Sequence, residues 1–344
     1  MTNEYDQMLH YLEFVSKVNR KYTLPFIQKK TGLNIVNKGE DHGMIVTSAD
    51  LNVSKALLDG FEGSEGFRSI YPGSFSEEDD SKTRQYCYDI IQVDPIDGTG
   101  DMVDSYKGKK ITGPTTLISK LGRNGLHDYF SPKAGLIFDI VHEIGLISDG
   151  VNVGLYKINV EGKVEDVKYE LTRPTWKYGD KVRINRRISY PQLTYDGAFM
   201  DYLRSNKIDV EIVPVGGAGI FAMQVFRNYI QPTSDNGKDF ADLEKIDIGF
   251  NAQPDWKTWD TNPTDVIADA LKMPERKDIF GRPLTANAAL SSLKEMHHTT
   301  GYVLSTSNFL RDLIIGAANE FTARNPDCSL LKKDYEYKTH ILSR

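Results

Sequence analysis

The sequence predicts an α/β protein, of the α+β kind, in two parts that divide near residue 180. Three observations predict it. Amphipathic helical patterns recur at the 3.6-residue period, short β-branched runs bounded by turn formers recur from residue 87 onward, and a polar, turn-rich segment over 150–180 separates them into two sets. The first set is rich in strands, and the second alternates strands with helices. At 344 residues the chain exceeds the size at which one hydrophobic core stops growing, so two packed domains, 1–180 and 181–344, are expected.

Taken in order, Met8, Leu9, Leu12 and Val15 open the chain as an amphipathic helix. Thr47-Ser48-Ala49-Asp50 precedes a second helical pattern through Val53, Ala56 and Leu57, and Thr47 and Asp50 have the chemistry of helix caps. Residues 62–84 collect turn formers and acids, with Pro72-Gly73-Ser74 and Ser76-Glu77-Glu78-Asp79-Asp80 among them. Strands are predicted over 87–93, 115–120, 134–140 and 143–148, the last two as a hairpin through Val141-His142. In the second part, 181–185 reads as a strand, 194–206 as a helix, and 210–213 as a strand ending in Gly216-Gly217-Ala218-Gly219. A helix through Phe221, Met223, Gln224 and Phe226 follows. Strand, glycines and helix in that order offer backbone N–H groups to an anion, although close helix–sheet packing explains the glycines equally well. Residues 231–258 read as loops. Trp259-Asp260-Thr261-Asn262-Pro263-Thr264 then opens a helix through Val266, Ile267, Ala270 and Leu271, with Asp260 at the N-cap and Pro263 in the first turn.

Composition excludes several classes. The formal net charge is −6, so nothing offers the basic surface that nucleic acid or an anionic membrane needs. No apolar stretch approaches the length of a membrane span, and the N-terminal residues lack the basic and apolar regions of a secretory signal, so a cytoplasmic protein is expected. Cys87 and Cys328 are far apart and in no metal-binding spacing, and read as reduced thiols. His142, His297 and His298 accompany no carboxylate motif and read as structural.

The chemistry concentrates in Asp94-Pro95-Ile96-Asp97-Gly98-Thr99, at the end of the β-branched run Tyr88–Val93. Two carboxylates three positions apart, with a backbone carbonyl between them, supply the oxygen ligands that hard divalent cations take. Gly98 lets the backbone approach a phosphate. Carboxylates at the end of such a strand are costly unless something positive binds there. Spacing excludes three other readings. An EF-hand loop needs alternating acids with glycine sixth. An aspartyl-phosphate phosphatase needs Asp two residues before Asp97, where Pro95 stands. A P-loop needs Gly-Lys-Ser/Thr, which does not occur in the chain.

The run Asp94–Thr99 resembles the signature of the inositol monophosphatase superfamily of magnesium-dependent, lithium-sensitive phosphatases. Supporting elements stand in the family's order: Thr47-Ser48-Ala49-Asp50, Ser76-Glu77-Glu78-Asp79, Trp259-Asp260 and Gly281-Arg282-Pro283-Leu284. Within the superfamily, Val215-Gly216-Gly217-Ala218-Gly219 and Trp259-Asp260-Thr261 are most similar to the 3′(2′),5′-bisphosphate nucleotidases. The chain departs from them at Arg186-Arg187-Ile188-Ser189, where those enzymes resemble Arg-Ser-His, and at Ala270-Leu271-Lys272-Met273, where they resemble Ala-Gly-Gly.

The resemblance implies a layered α-β-α-β-α sandwich. It implies two or three Mg2+ ions held by Glu77, Asp94, Asp97 and Asp260 with the carbonyl of Ile96, and inhibition by Li+. Glu78 or Asp101 would be an outer partner. Asp50 and Thr99 would activate the attacking water, and Gly98 and Thr99 would present N–H groups to the phosphate. Gly216, Gly217 and Ala218 would line the leaving-group side, with Arg186 near a second phosphate. The implied substrate is a small phosphorylated metabolite: adenosine 3′,5′-bisphosphate first, an inositol phosphate second. A non-catalytic binding protein on the same fold is the rival from another class. No nucleic-acid or membrane partner is implied, and the assembly would be a monomer or a homodimer.

Overall fold

The computed structural model describes residues 3–28, 34–37, 45–63, 73–76, 89–106, 113–123, 129–187, 194–215, 217–251, 258–284, 288–289 and 301–328. Among these residues two main sheets are stacked with three layers of helix, and a short helix α2 (Leu24–Ile27) and a two-stranded sheet of β1 (Ile35–Asn37) and β2 (Ile45–Thr47) precede both sheets in the chain. The first sheet has eight strands. β3 (Gly73–Ser76), β4 (Asp89–Asp97), β5 (Thr115–Arg123), β6 (Tyr129–Asp139), β7 (Ile144–Ser148), β8 (Val153–Ile158) and β9 (Val164–Asp166) lie side by side, and β15 (Ala288–Ala289) pairs with β6. All pairings are antiparallel except β3 with β4. The second sheet has the order β12 (Val210–Val215), β11 (Val182–Arg187), β14 (Ile248–Asn251), β16 (Tyr302–Ser305). Its first three strands are parallel and the last is antiparallel.

Three hydrophobic clusters define the layers. Met8, Leu12 and Val15 of α1 (Glu4–Tyr22) and Val53 and Leu57 of α3 (Ser48–Gly63) pack on Ile91, Val93, Ile118, Leu136 and Phe138 of the first sheet. Leu117, Ile137 and Leu146 on the opposite face meet α6 (Ala218–Phe226) and α8 (Thr258–Ala270), which also pack on Tyr302 and Leu304 of the second sheet. The outer face of the second sheet meets α5 (Thr194–Ser205) and α9 (Asn308–Arg324) through Val182, Ile184, Phe199, Leu203, Leu310 and Ile314. The order is α-β-α-β-α. A sheet covered on both faces reads as continuous apolar runs such as Gly135-Leu136-Ile137-Phe138, which is why its central strands β4 to β7 are legible in the sequence.

The predicted hairpin forms between β6 and β7, with Ile140 to Glu143 as its turn. Other expectations need correction. The turn-rich segment 150–180 holds β8, β9 and β10 (Tyr169–Leu171), and β8 and β9 extend the first sheet. The segment read as loops, 231–258, holds most of β13 (Ile230–Pro232), α7 (Lys238–Ala241) and β14. These elements are three or four residues long, too short for a period, and their partners are remote: β13 pairs with β10, and β14 with β11 and β16. Helix α8 starts two residues before Asp260, so Asp260 lies in its first turn and is not its N-cap, while Pro263 is inside the helix. No described helix is long and apolar enough to cross a membrane.

Candidate functional site

The site is built at the corner where β4 ends and α4 (Thr99–Tyr106) begins. A bulge in the β4–β5 pairing between Asp94 and Asp97 breaks the ladder there, and Gly98 turns the chain with φ +86°, a conformation that costs an L side chain energy. The corner closes on itself. Asp94 Oδ1 accepts from Ile96 N at 3.1 Å, and Met102 N donates to Gly98 O at 3.1 Å. Thr99 Oγ1 lies 2.6 Å from Asp50 Oδ1 and 2.8 Å from Ile96 O. A hydroxyl carries one hydrogen, and the nearer, charged acceptor takes it. The Ile96 carbonyl oxygen thereby keeps its lone pairs for another partner.

Asp50, 2 % exposed, combines two functions suggested by its position. Its Oδ2 accepts from Thr47 N at 2.8 Å and from Thr47 Oγ1 at 2.5 Å, while Thr47 Oγ1 accepts from Ala49 N at 3.2 Å. That is a reciprocal cap at the start of α3. Its other oxygen, Oδ1, faces Thr99. Capping therefore fixes the carboxylate that holds the Thr99 hydroxyl.

Asp260 arrives from α8. One carboxylate oxygen from each of Asp94, Asp97 and Asp260 lies within 4.8 Å of the others. Asp94 and Asp97 are 3 % and 6 % exposed and Asp260 is half-buried, so three carboxylates crowd together with limited access to water. Such a group favours a cation among its oxygens, and an all-oxygen donor set of carboxylates suits magnesium or calcium. The donor chemistry fits a divalent metal held by these three side chains with the Ile96 carbonyl. Glu77, Glu78 and Gly216 lie outside the described residues, as do the side chains of Asp101 and Arg186. The backbone of Arg186 belongs to β11, opposite Pro214.

The Gly217-Ala218-Gly219 turn is applied directly to Asp97. Gly219 N donates to Asp97 Oδ2 at 2.6 Å and Thr115 Oγ1 donates to the same oxygen at 3.0 Å. A Cβ on Gly217 would stand 2.4 Å from that oxygen, so only glycine fits. Ala218 is buried in the core. The anion at the N-terminus of α6 is thus the protein's own carboxylate, held by amide and dipole. Sequence reasoning found the glycines but missed this partner and Thr115. The only sequence signal was the strand–glycine–helix order, and the partner is 122 residues away.

No protein-family model matches the chain, and no curated protein matches it in sequence. Solved structures do match. A staphylococcal IMPase-I complexed with products superimposes with TM-score 0.60 over 91 % of this chain and 93 % of that one, at 13 % identity. The fold is that of the inositol monophosphatases. An IMPase/NADP phosphatase complexed with Mg2+ and phosphate shares it, with TM-score 0.59, 13 % identity, and coverage of 91 % and 93 %. So does a putative sedoheptulose-1,7-bisphosphatase from Toxoplasma gondii, with TM-score 0.60, 11 % identity, and coverage of 92 % and 94 %. In this inositol monophosphatase fold the three carboxylates sit where the strand-rich layer meets α8, beneath the N-termini of α4 and α6.

Proposed function

We propose that the protein is a magnesium-dependent phosphomonoesterase whose preferred substrate is adenosine 3′,5′-bisphosphate. The observation that carries the reading is the convergence of Asp94, Asp97 and Asp260 beside the Thr99–Asp50 pair. Bound magnesium would neutralise the phosphate and polarise both the attacking and the leaving oxygen. Asp50 takes the Thr99 hydroxyl hydrogen, which turns the Thr99 oxygen into an acceptor. That oxygen receives a hydrogen from water and aims the water at phosphorus. As the new P–O bond forms and the ester P–O bond breaks, the water proton moves toward Thr99 and Asp50, and the leaving oxygen departs with the bonding pair and takes a proton from solvent. Gly98 and Thr99, at the start of α4, present N–H groups to the phosphate oxygens.

Glu77 would complete the ligand set, with Gly216, Gly217 and Ala218 on the leaving-group side and Arg186 near the second phosphate. Inhibition by Li+, a cytoplasmic monomer or homodimer, and the division into domains 1–180 and 181–344 belong to the same reading. The alternative substrate is an inositol phosphate. It is supported by the fold shared with the staphylococcal IMPase-I, just as the fold shared with the IMPase/NADP phosphatase favours a nucleotide.

The test is phosphate release from adenosine 3′,5′-bisphosphate and inositol 1-phosphate, each with and without magnesium, with Asp97→Asn as the blank. Magnesium-dependent release that Asp97→Asn abolishes supports the reading, and the preferred substrate decides between the two. No release from either compound overturns the substrate assignment and favours a binding protein.

A further inference from the structure

Behind the three carboxylates, β4 and α8 are joined by a buried polar contact that the chemistry above does not use. Gln92 is fully buried two residues before Asp94, and Asn262 is 1 % exposed two residues after Asp260. Gln92 Oε1 accepts from Asn262 Nδ2 at 2.8 Å and from Ser119 Oγ at 3.1 Å. Ser119, also fully buried, stands directly opposite Gln92 on β5. The contact spans 170 residues of sequence and ties the strand that carries two of the carboxylates to the helix that carries the third.

Packing alone does not favour this arrangement. Three buried polar side chains lose their water here, and the oxygens Asn262 Oδ1, Thr261 Oγ1 and Thr264 Oγ1 on the same stretch of α8 are buried with no hydrogen-bond partner among the described residues. Apolar side chains of similar volume would cover the same surface without that desolvation. What a hydrogen bond adds is direction: it fixes how far α8 is rotated about its axis. Depth is fixed next door, where a Cβ on Gly135 of β6 would stand 2.8 Å from Cα and O of Pro263. Helix α8 therefore rests on bare backbone, and the Gln92–Asn262 pair holds its rotation at the end nearest the carboxylates, while Asp265, bonded to Tyr302 Oη at 3.1 Å and Arg276 Nε at 3.0 Å, holds it further along.

We propose that Gln92 is a positioning residue for the metal centre, acting through Asn262 to hold the Asp260 carboxylate within ligand distance of Asp94 and Asp97. The inference rests on the metal-dependent reading above. The test is Mn2+ binding to the full chain, followed by the loss of the free-ion electron spin resonance signal. Folding is checked by circular dichroism. Gln92→Leu and Asn262→Ala are each expected to weaken Mn2+ binding about 10–100-fold. The double variant is expected to be no weaker than either single one, because both break the same contact. In an Asp260→Asn background neither substitution should weaken binding further.

Thr322→Val, which removes a buried hydroxyl bonded to Ala318 O in α9, is the control; it should lower Tm and leave Mn2+ affinity unchanged. Gln92→Met serves if Gln92→Leu does not fold. Folded Gln92 and Asn262 variants that bind Mn2+ within about twofold of the parent would overturn the inference alone. An undiminished effect in the Asp260→Asn background would overturn it too, by assigning the effect to general structure. A parent protein with no saturable Mn2+ binding overturns the metal reading itself, and the positioning role with it.

Discussion

The β4–α4 corner and helix α8 contribute to the same cluster of carboxylates by opposite means. At the corner, Asp94, Ile96, Asp97, Gly98 and Thr99 are consecutive or nearly so. A bulge, a positive-φ glycine and short-range hydrogen bonds shape them. Asp260 is held differently. It stands in the first turn of a helix that is seated on Gly135 and pinned through Asn262, both features of the packing. A local motif is robust because its geometry is a property of a few dihedral angles. A remote ligand is only as well placed as the layers between which it is held. Substitutions at the corner should therefore cost activity before stability, and substitutions under α8 should cost both.

The largest effect should come from the corner. Thr99→Val deletes the hydroxyl that donates to Asp50, and should lower kcat by about 10²–10⁴-fold with little change in Tm. Thr99→Ser should restore most of it. A Tm that falls in step with kcat would erase the distinction between the two regions.

Next comes the boundary between them. Gly217→Ala places a methyl group 2.4 Å from Asp97 Oδ2, and α6 must retreat from that carboxylate. A cost of about 1–3 kcal/mol in denaturant unfolding is expected, together with weaker Mn2+ binding. An unchanged unfolding midpoint would mean that the Gly217 turn yields freely.

Gly135→Ala probes the remote region alone. The new methyl group meets backbone atoms of Pro263, which cannot rotate away, so stability should fall by about 1–3 kcal/mol. Because α8 is lifted, Mn2+ affinity should fall as well. Retention of full affinity would show that the corner suffices without Asp260.

The smallest effect lies at the end of β6, where Asp139 stands one strand beyond Thr115 and is not one of the three clustered carboxylates. His142 Nδ1 is 2.7 Å from Asp139 Oδ2, and that hydrogen bond raises its pKa above the ordinary 6.5 against the opposing effect of burial. The Asp139 and Asp239 charges raise it further, and Lys157 lowers it. A raised folded-state pKa means that the protonated pair stabilises the fold fully below about pH 6.5. That contribution is lost as pH rises through the raised value. The Tm difference between the parent and His142→Gln should thus be larger at about pH 5.5 than at about pH 9.5. An equal difference at both would assign the contact to packing.

The sequence alone determined the features that rest on short-range chemistry. The first helix, the β6–β7 hairpin, the Asp94–Thr99 corner and the Thr47–Asp50 cap are each set by residues a few positions apart, so spacing and residue type suffice to read them. It did not determine where α8 begins, that Pro263 lies inside it, or that 231–258 contains a strand of the second sheet. Only the tertiary structure decided that Asp260 meets Asp94 and Asp97, that Gly219 donates to Asp97, and that Gln92 meets Asn262. Those contacts join residues from 122 to 170 positions apart. They form because both faces of the first sheet are covered by helices, and apolar burial sets the distance between layers without regard to sequence separation. Hydrogen bonds then select the one rotation of each helix in which the buried polar groups find partners.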